Sequence, residues 1–414
     1  MKEAREYKQT ELGLLPEDWE VAKLGEIGAI AMCKRIFQNE TSEMGDVPFY
    51  KIGTFGKAAD AYISYARYNE FKSAYRFPNK GDILISAAGT IGRIVVYDGK
   101  PAYFQDSNIV WLAHNGKTIR NDFLFYVYQI TEWNTENTTI ARLYNDNFNN
   151  TIIPLPPIEE QRRIASALTS IDNLIDSLDR LIAKKRDIKQ GAMQQLLSGK
   201  KRLKGFTEPW VQKKLGDIAD TASGGTPSRS NIDYYKGNIC WFTTSELTDN
   251  YLYDSNEHIT NEALLCSSAK LFPAGILLIA MYGATIGKLG ILCKEAATNQ
   301  ACCAIKCHKI DTKFLFYLLL LNRPNIIELG CGAGQPNISQ DIIRNLEFIV
   351  PSSLPEQQAI ASVLTSMDNE LSALEAKRKK YEQIKQGMMQ QLLTGRIRLL
   401  KAEVKTDTTS EKLL

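Results

Sequence analysis

The sequence predicts an α/β (α+β) fold of two strand-rich globular domains joined by two long helices. The helices form an antiparallel coiled coil, and the whole is an internal pseudo-two-fold repeat. Three observations carry this prediction. Residues 157–203, PIEEQRRIASALTSIDNLIDSLDRLIAKKRDIKQGAMQQLLSGKKRL, recur from Leu354 onward at a constant offset of 196, without a gap and with roughly half the positions identical. The segments preceding the two copies also match one another, at offsets of 191 to 195. Within those segments, short β-branched and aromatic runs alternate with glycine and proline turns, as strands do.

The globular segments align by eye. Trp19 opens WEVAKLGEI and Trp210 opens WVQKKLGDI; GDVPFYKIGTF from Gly45 answers GNICWFTTSEL from Gly237. FPNKGDILISAAGTIGRIVVY from Phe77 answers FPAGILLIAMYGATIGKLGIL from Phe272, and FLFYVY at Phe123 answers FLFYLL at Phe314. Strands are expected near 47–53, 82–87 and 93–98, and near 239–244, 276–281 and 289–293, with one helix near 121–131 and another near 311–322. The chain then divides into a first globular domain (1–153), a first long helix (154–203), a second globular domain (204–349), a second long helix (350–400) and a polar C-terminal tail (401–414).

Apolar residues in the repeated helices step by four and three. They are Ile164, Leu168, Ile171, Ile175, Leu178 and Ile182 in one copy and Ile360, Leu364, Met367, Leu371 and Leu374 in the other, which is a coiled-coil seam. Lys185, Lys189, Arg378 and Lys385 interrupt the seam, which predicts looser pairing near the middle. Prolines precede each helix, and Ser198-Gly199 and Thr394-Gly395 stop them. About 37 residues at about 1.5 Å each make a rod of about 55 Å. On periodicity alone, a helix pair that merely oligomerises or braces a scaffold fits as well.

At 414 residues with 44% apolar content, the chain can build two or three real cores. The charged opening MKEAREYKQTELG has no apolar signal core, and the run from Ala274 to Cys293 is broken by glycines and Lys288, which favours buried strands over a membrane span. A cytoplasmic protein is expected. Seven of the eight cysteines lie beyond residue 239, and Cys293, Cys302, Cys303, Cys307 and His308 cluster. No CxxC pair exists and the cluster alternates like a strand, so buried reduced thiols are expected and no metal site. The net charge is +3, with residues 161–203 carrying +6, residues 357–401 carrying +4, and the rest of the chain −7. The globular domains are therefore not simple basic patches.

Enzymatic motifs fail on context. Glu328-Leu329-Gly330-Cys331-Gly332-Ala333-Gly334 matches the glycine loop that receives S-adenosylmethionine, but Pro324 lies shortly before it and Pro336 stands where its helix should open. Gly283 to Lys288 resembles a phosphate loop, one spacer short and followed by Leu289 where Ser or Thr should bind magnesium, and reads as a strand turn. HExxH and GxSxG are absent, and three histidines supply little acid–base chemistry. No catalytic residue is predicted.

The opening YKQTELGLLPEDWEVAKLGEI, the GGTPSR loop, the turns GTIG and ATIGK, the segment GAGQPNIS and the two PxxEQ…IKQGxMQQLL[ST]G helices together resemble the specificity (S) subunit of type I restriction-modification systems. The resemblance covers nearly the whole chain. It implies two target recognition domains, each reading one half of a split target in double-stranded DNA, and paired helices that separate them. It also implies two modification (methyltransferase) subunits and restriction subunits as partners, no membrane, and no cofactor in this chain, since SAM and ATP belong to those partners. YNDNFNNTIIPLPP stands before the first helix where the second half has GQPNISQDIIRNLEFIVP, and there the two halves part.

Base reading needs polar side chains on turns beside rigid strands. The candidates in the first domain are Lys51, Thr54, Lys57, Arg67, Lys72, Arg76, Arg93, Asn145 and Asn147. In the second they are Ser223, Thr226, Arg229, Thr243, Glu246, Lys270, Tyr282, Lys288, Gln335 and Asn337. Phe49, Tyr50, Trp241 and Phe242 are expected in the core. Two other functions stay open on residues alone: an autonomous SAM-dependent DNA methyltransferase, and a coiled-coil scaffold that binds no nucleic acid.

Overall fold

The computed structural model describes residues 6–133, 142–330 and 337–399. The chain forms two compact units, Met1–Leu178 with Lys377–Leu414 and Asp179–Ala376. Each unit thus takes one globular domain and half of each long helix.

In the first unit, the strands Ala29–Met32, Ile109–Ala113, Ile83–Ser86 and Ile94–Val96 form an antiparallel sheet in that order. Successive side chains of a strand leave opposite faces, and here both faces are covered. Ile83, Ile85, Val110 and Leu112 join a core with Phe123 and Val127 of the helix Asn121–Ile130, while Leu84, Ile109 and Trp111 join another with the aromatic strands Val47–Tyr50 and Tyr103–Phe104. Double coverage explains why these strands read as unbroken apolar runs.

The second unit repeats the scheme. Ala219–Ser223, Cys302–Cys307, Leu277–Ala280 and Leu289–Leu292 take the same order, with Asn250–Leu252 added at the edge. Leu277, Ile279, Cys303 and Ile305 face the helix Thr312–Leu329, and Leu278, Ala280, Cys302 and Ala304 face the opposite core. The apolar run from Ala274 is therefore two strands and a turn, and among the described residues no helix is long and apolar enough to cross a membrane. The seven described cysteines are free, and burial pushes the Cys302 and Cys303 thiols up to about 12.

The point where the halves part in sequence is not a structural divergence. Asn145–Asn149 and Gln340–Arg344 are equivalent short helices, each followed by a strand, Ile152–Leu155 or Glu347–Pro351. Asn150 and Asn345 close them identically, each amide donating to the carbonyl of Asp146 or Asp341 at 2.9 Å. Those strands pair with Glu20–Lys23 and Trp210–Lys214, so each domain's two ends meet at the start of a long helix.

The long helices run Ile158–Leu196 and Leu354–Leu392, 39 residues each. Gly199 and Gly395, at φ of 70° and 67°, follow their ends in a conformation that favours glycine. Ile164, Leu168, Ile175, Leu178, Ile360, Leu364 and Leu371 are buried, and Ile171, Met367 and Leu374 half-buried. The expected loosening in the middle is overturned. Three of the four basic residues make ion pairs across the helices: Lys385 to Asp172 at 2.7 Å in the first unit, and Lys185 to Glu370 at 2.6 Å and Lys189 to Asp368 in the second. Rising numbers on one helix meet falling numbers on the other, so the helices are antiparallel. Arg378 pairs along its own helix with Glu382. Ile164, Leu168, Ile360 and Leu364 also do more than line a seam, because they share their cores with the domain helices.

Candidate nucleic-acid interface

Reading a base edge requires a loop held rigidly by what lies beneath it. In both units the anchor is the Glu-Gln pair at the start of the long helix. Glu160, 1% exposed, accepts from Arg398 Nε at 2.7 Å and Nη2 at 2.6 Å and from Trp19 Nε1 at 3.0 Å. Glu356, fully buried, accepts from Arg202 Nε at 2.9 Å and Nη2 at 2.6 Å and from Trp210 Nε1 at 3.4 Å. A buried carboxylate persists only when paired this completely. The neighbouring amides close backbone gaps: Gln161 accepts from Arg120 N and donates to the Thr118 and Pro156 carbonyls, and Gln357 accepts from Asp311 N and donates to the Pro351 carbonyl.

A second tie follows about three turns later. Tyr126 donates to Asp172 at 2.7 Å and lies 3.1 Å from the Thr169 hydroxyl; Tyr317 donates to Asp368 at 2.7 Å and lies 3.2 Å from the Thr365 hydroxyl. Burial pushes both phenols above the ordinary tyrosine range, keeping them protonated donors. Lys385 and Lys189 complete the two groups from the other helix. None of these residues was predicted as functional. The signal was available, since Glu160/Glu356, Arg202/Arg398 and Asp172/Asp368 all stand 196 apart and Trp19/Trp210 and Tyr126/Tyr317 stand 191 apart.

The first domain's candidates fall into three places. Lys51, paired with Asp60 at 2.9 Å, Thr54 and exposed Lys57 sit on the loop after Val47–Tyr50. Arg93 holds that loop by donating to the Phe55 carbonyl at 2.9 Å. Arg67 and Lys72 lie on the helix Tyr65–Ala74, which the sequence reading missed. Arg67 pairs with Glu40 and Glu70, Lys72 rests over the Tyr68 and Phe77 rings, and Arg76 is exposed just beyond. Exposed Asn145 and half-buried Asn147 lie on the short helix. Phe49 is core, and Tyr50 is half-buried and stacked on Phe104.

In the second domain the GGTPSR loop is pinned down. A Cβ on Gly225 would lie 2.3 Å from the Ser268 backbone, and the Gly225 carbonyl accepts from Trp241 Nε1 at 2.9 Å. The loop carries Ser223 against Gln340, Thr226 against Gln300, and Arg229 stacked on Tyr235 and Trp241 with both Nη atoms on Glu257. Tyr282 and Asn337, both exposed, are brought together as a β-bridge beside the Gly283–Gly287 turn. Lys270 is exposed. Trp241 and Phe242 are core.

Other candidates are bonded to neighbouring residues. Glu246 directs one carboxylate oxygen to the Thr243 N–H and hydroxyl and the other to the Asn256 N–H, which occupies both Glu246 and Thr243. Lys288 is paired with Asp249 at 3.0 Å, and Asp249 also holds Arg323. Gln335 lies outside the described residues. The bridge matching Tyr282–Asn337 is Ala88–Arg142 in the first domain, which adds Arg142, a residue the sequence reading passed over. The glycine loop from Glu328 follows a helix ending at Leu329 where a cofactor fold needs a strand, and its continuation from Cys331 lies outside the described residues.

Comparison with known proteins fits this geometry. Residues 16–184 and 207–386 each match the type I restriction modification DNA specificity domain. A putative type I restriction enzyme specificity subunit of Haemophilus influenzae is 49% identical over 174 residues, 42% of this chain and 45% of that one, so the chain matches less than half of this relative. A putative MjaX specificity subunit of Methanocaldococcus jannaschii is 28% identical over 95% of this chain and 97% of its own. Among solved structures, the S subunit of M. genitalium superposes with a TM-score of 0.59 at 14% identity, covering 91% of this chain and 96% of that one, which bears on the fold alone. With two specificity domains matched across most of its length and its duplicated fold, the chain belongs to the family of type I restriction-modification DNA specificity subunits.

Proposed function

We propose that each unit presents one recognition domain to one half of a split DNA target, and that the long helices carry two modification subunits, with restriction subunits joining the same complex. The observation that carries this reading is the contrast between duplicated anchors and differing loops: the same Glu-Gln-Arg-Trp and Tyr-Asp-Lys groups hold two surfaces with unlike polar residues. A duplicated frame with dissimilar tips suits a reader of two different half-sites. Methyl transfer and ATP-driven steps are assigned to the partners, with SAM and ATP bound there.

The test incubates the purified chain with labelled S-adenosylmethionine and DNA, with and without a modification subunit. Label in DNA only when the partner is present supports the proposal, label from the chain alone makes it a methyltransferase, and none in either case leaves a scaffold. Because the chain outside the helix repeats sums to −7, DNA binding by the chain alone is expected to be modest and to tighten when partners add basic surface. Gel shifts at physiological salt measure that difference.

A further inference from the structure

The second unit gathers three ligand-type side chains at a place where the first has none. Cys240 and His258 are direct cross-strand partners on Ile239–Phe242 and Glu257–Ile259, and Asp254 reaches them from the preceding loop. Cys240 Sγ lies 3.0 Å from Asp254 Oδ1 and 3.5 Å from His258 Nε2, and His258 Nε2 lies 3.0 Å from Asp254 Oδ1. In the first unit the equivalent cross-strand pair is Pro48 and Tyr62, neither a metal ligand in this setting. The fold therefore does not require the trio.

A tetrahedral zinc ion, with bonds of about 2.3 Å to sulfur and about 2.0–2.2 Å to nitrogen and oxygen, holds its ligand atoms about 3.3–3.6 Å apart. The three atoms are within about half an ångström of that spacing already. They are also held there. The strand register fixes Cys240 against His258, and the Asp254 loop is tied by Ser255 Oγ, which accepts from Trp241 N at 3.0 Å and donates to the Glu257 carbonyl at 2.6 Å. The Lys294 ammonium, 3.1 Å from Asp254 Oδ1, places a positive charge beside the same atoms.

We propose that Cys240, Asp254 and His258 form a site for Zn2+ or a similar borderline-soft divalent ion, with a fourth position open to water. Binding removes the thiol proton to solvent, leaves His258 neutral and Asp254 ionised, and displaces the Lys294 ammonium; no oxidation state changes. One thiolate, one imidazole and one carboxylate select this class over Mg2+ or Ca2+, which take oxygen ligands. The ion would clamp the strands Ile239–Phe242 and Glu257–Ile259 to their loop, and so stabilise this domain and not the first.

The full-length chain, stripped of metal, is titrated with Co2+ as a spectroscopic probe of thiolate ligation and then with Zn2+ in competition. One equivalent is expected to give a thiolate-to-cobalt charge-transfer band that Zn2+ abolishes. Cys240→Ser and His258→Ala should each lose it, while Cys266→Ser, at an exposed thiol, should keep it. Lys294→Ala, which leaves all three ligands in place, should bind Zn2+ several-fold more tightly. No band in the wild-type chain, a band surviving in Cys240→Ser, or unchanged affinity in Lys294→Ala would overturn the proposal.

Discussion

The two domains differ least next to the long helices and most in an outer sheet, built from Val47–Tyr50, Tyr62–Ile63 and Tyr103–Phe104 in the first domain and from Ile239–Phe242, Glu257–Ile259, Ala296–Thr298 and Leu271–Phe272 in the second. Below, Tyr126 and Tyr317, Glu160 and Glu356, and Arg398 and Arg202 make the same bonds. In the outer sheet the first domain packs rings, with Phe49, Phe71, Phe77, Tyr97, Tyr103 and Phe104 in mutual contact. The second uses small side chains, Ala263, Ala269 and Ala297 around Trp241, and its central sheet gains the edge strand Asn250–Leu252. After the equivalent strands, Ser64 caps a ten-residue helix where Thr260 caps a five-residue one. Structure next to the long helices is thus held constant while the packing away from them is rebuilt.

The severest test of equivalence is a charge in the shared core. Leu168→Asp and Leu364→Asp each replace a side chain with no exposure, combining lost burial with an unpaired buried charge. Each should cost more than about 5 kcal/mol and unfold its own unit, visible in calorimetry as the loss of one transition. Retention of both transitions in either variant would break the comparison. The anchors should then rank unequally. Arg398 is 8% exposed and also holds Asp18 with two bonds of 2.8 Å, whereas Arg202 is 28% exposed and holds Glu356 alone. Arg398→Ala should cost about 3–5 kcal/mol and Arg202→Ala less, read from the melting temperature of each transition. Equal losses would mean that the Asp18 pair contributes nothing.

Among the described residues, one network is found in the second domain and not in the first. Asp249 sits between Arg323 and Lys288; burial pushes its carboxyl up, but Arg323, the Leu289 N–H and Lys288 outweigh that and hold it below the ordinary carboxylate value. A carboxyl depressed in the folded state stabilises fully above its unfolded pKa, and that stability is lost as pH falls through the folded value. Asp249→Asn should therefore destabilise the second unit by about 2 kcal/mol at neutral pH and leave the first unchanged. The difference between variant and wild type should shrink as pH falls below 4, which acid melts of the two transitions would record. A difference independent of pH would sink the charge argument.

Much of this fold is legible in the sequence because it is written twice. The helix seam, the strand runs and the domain order all follow from apolar period and offset, which depend on local chemistry. The anchors were harder to read. Glu160 and Arg398 are 238 residues apart, and nothing local marks a charged residue as buried; only the equal offset of their partners does. The lysines that seemed to interrupt the seam are ion-paired across it, a fact that only the facing helix supplies. Glu246 looked like a base reader because it is polar beside a strand, yet both its oxygens serve nearby backbone. Polarity shows that a side chain can bond; it does not show to what.

The smallest expected effect is the most discriminating for function. Arg142 and Asn337 hold the same bridge position, beside the turns bounded by Gly89 and Gly92 and by Gly283 and Gly287, all at positive φ. Neither is locked in place. Among the described residues the guanidinium of Arg142 reaches the Ser107 carbonyl at 3.5 Å and lies over the Tyr144 ring, 5.9 Å from its centroid, and Asn337 is exposed. Arginine pairs most readily with guanine and asparagine with adenine in the major groove. Alanine at either position should leave both melting transitions unmoved and cost about 1 kcal/mol of discrimination, the low end for one base-edge contact. The assembled complex should then methylate sites relaxed at one base of one half-site, a different half-site for each variant. Sequencing of methylated DNA separates the cases: relaxation of the same half-site by both variants, or of neither, would mean that these equivalent positions do not read bases.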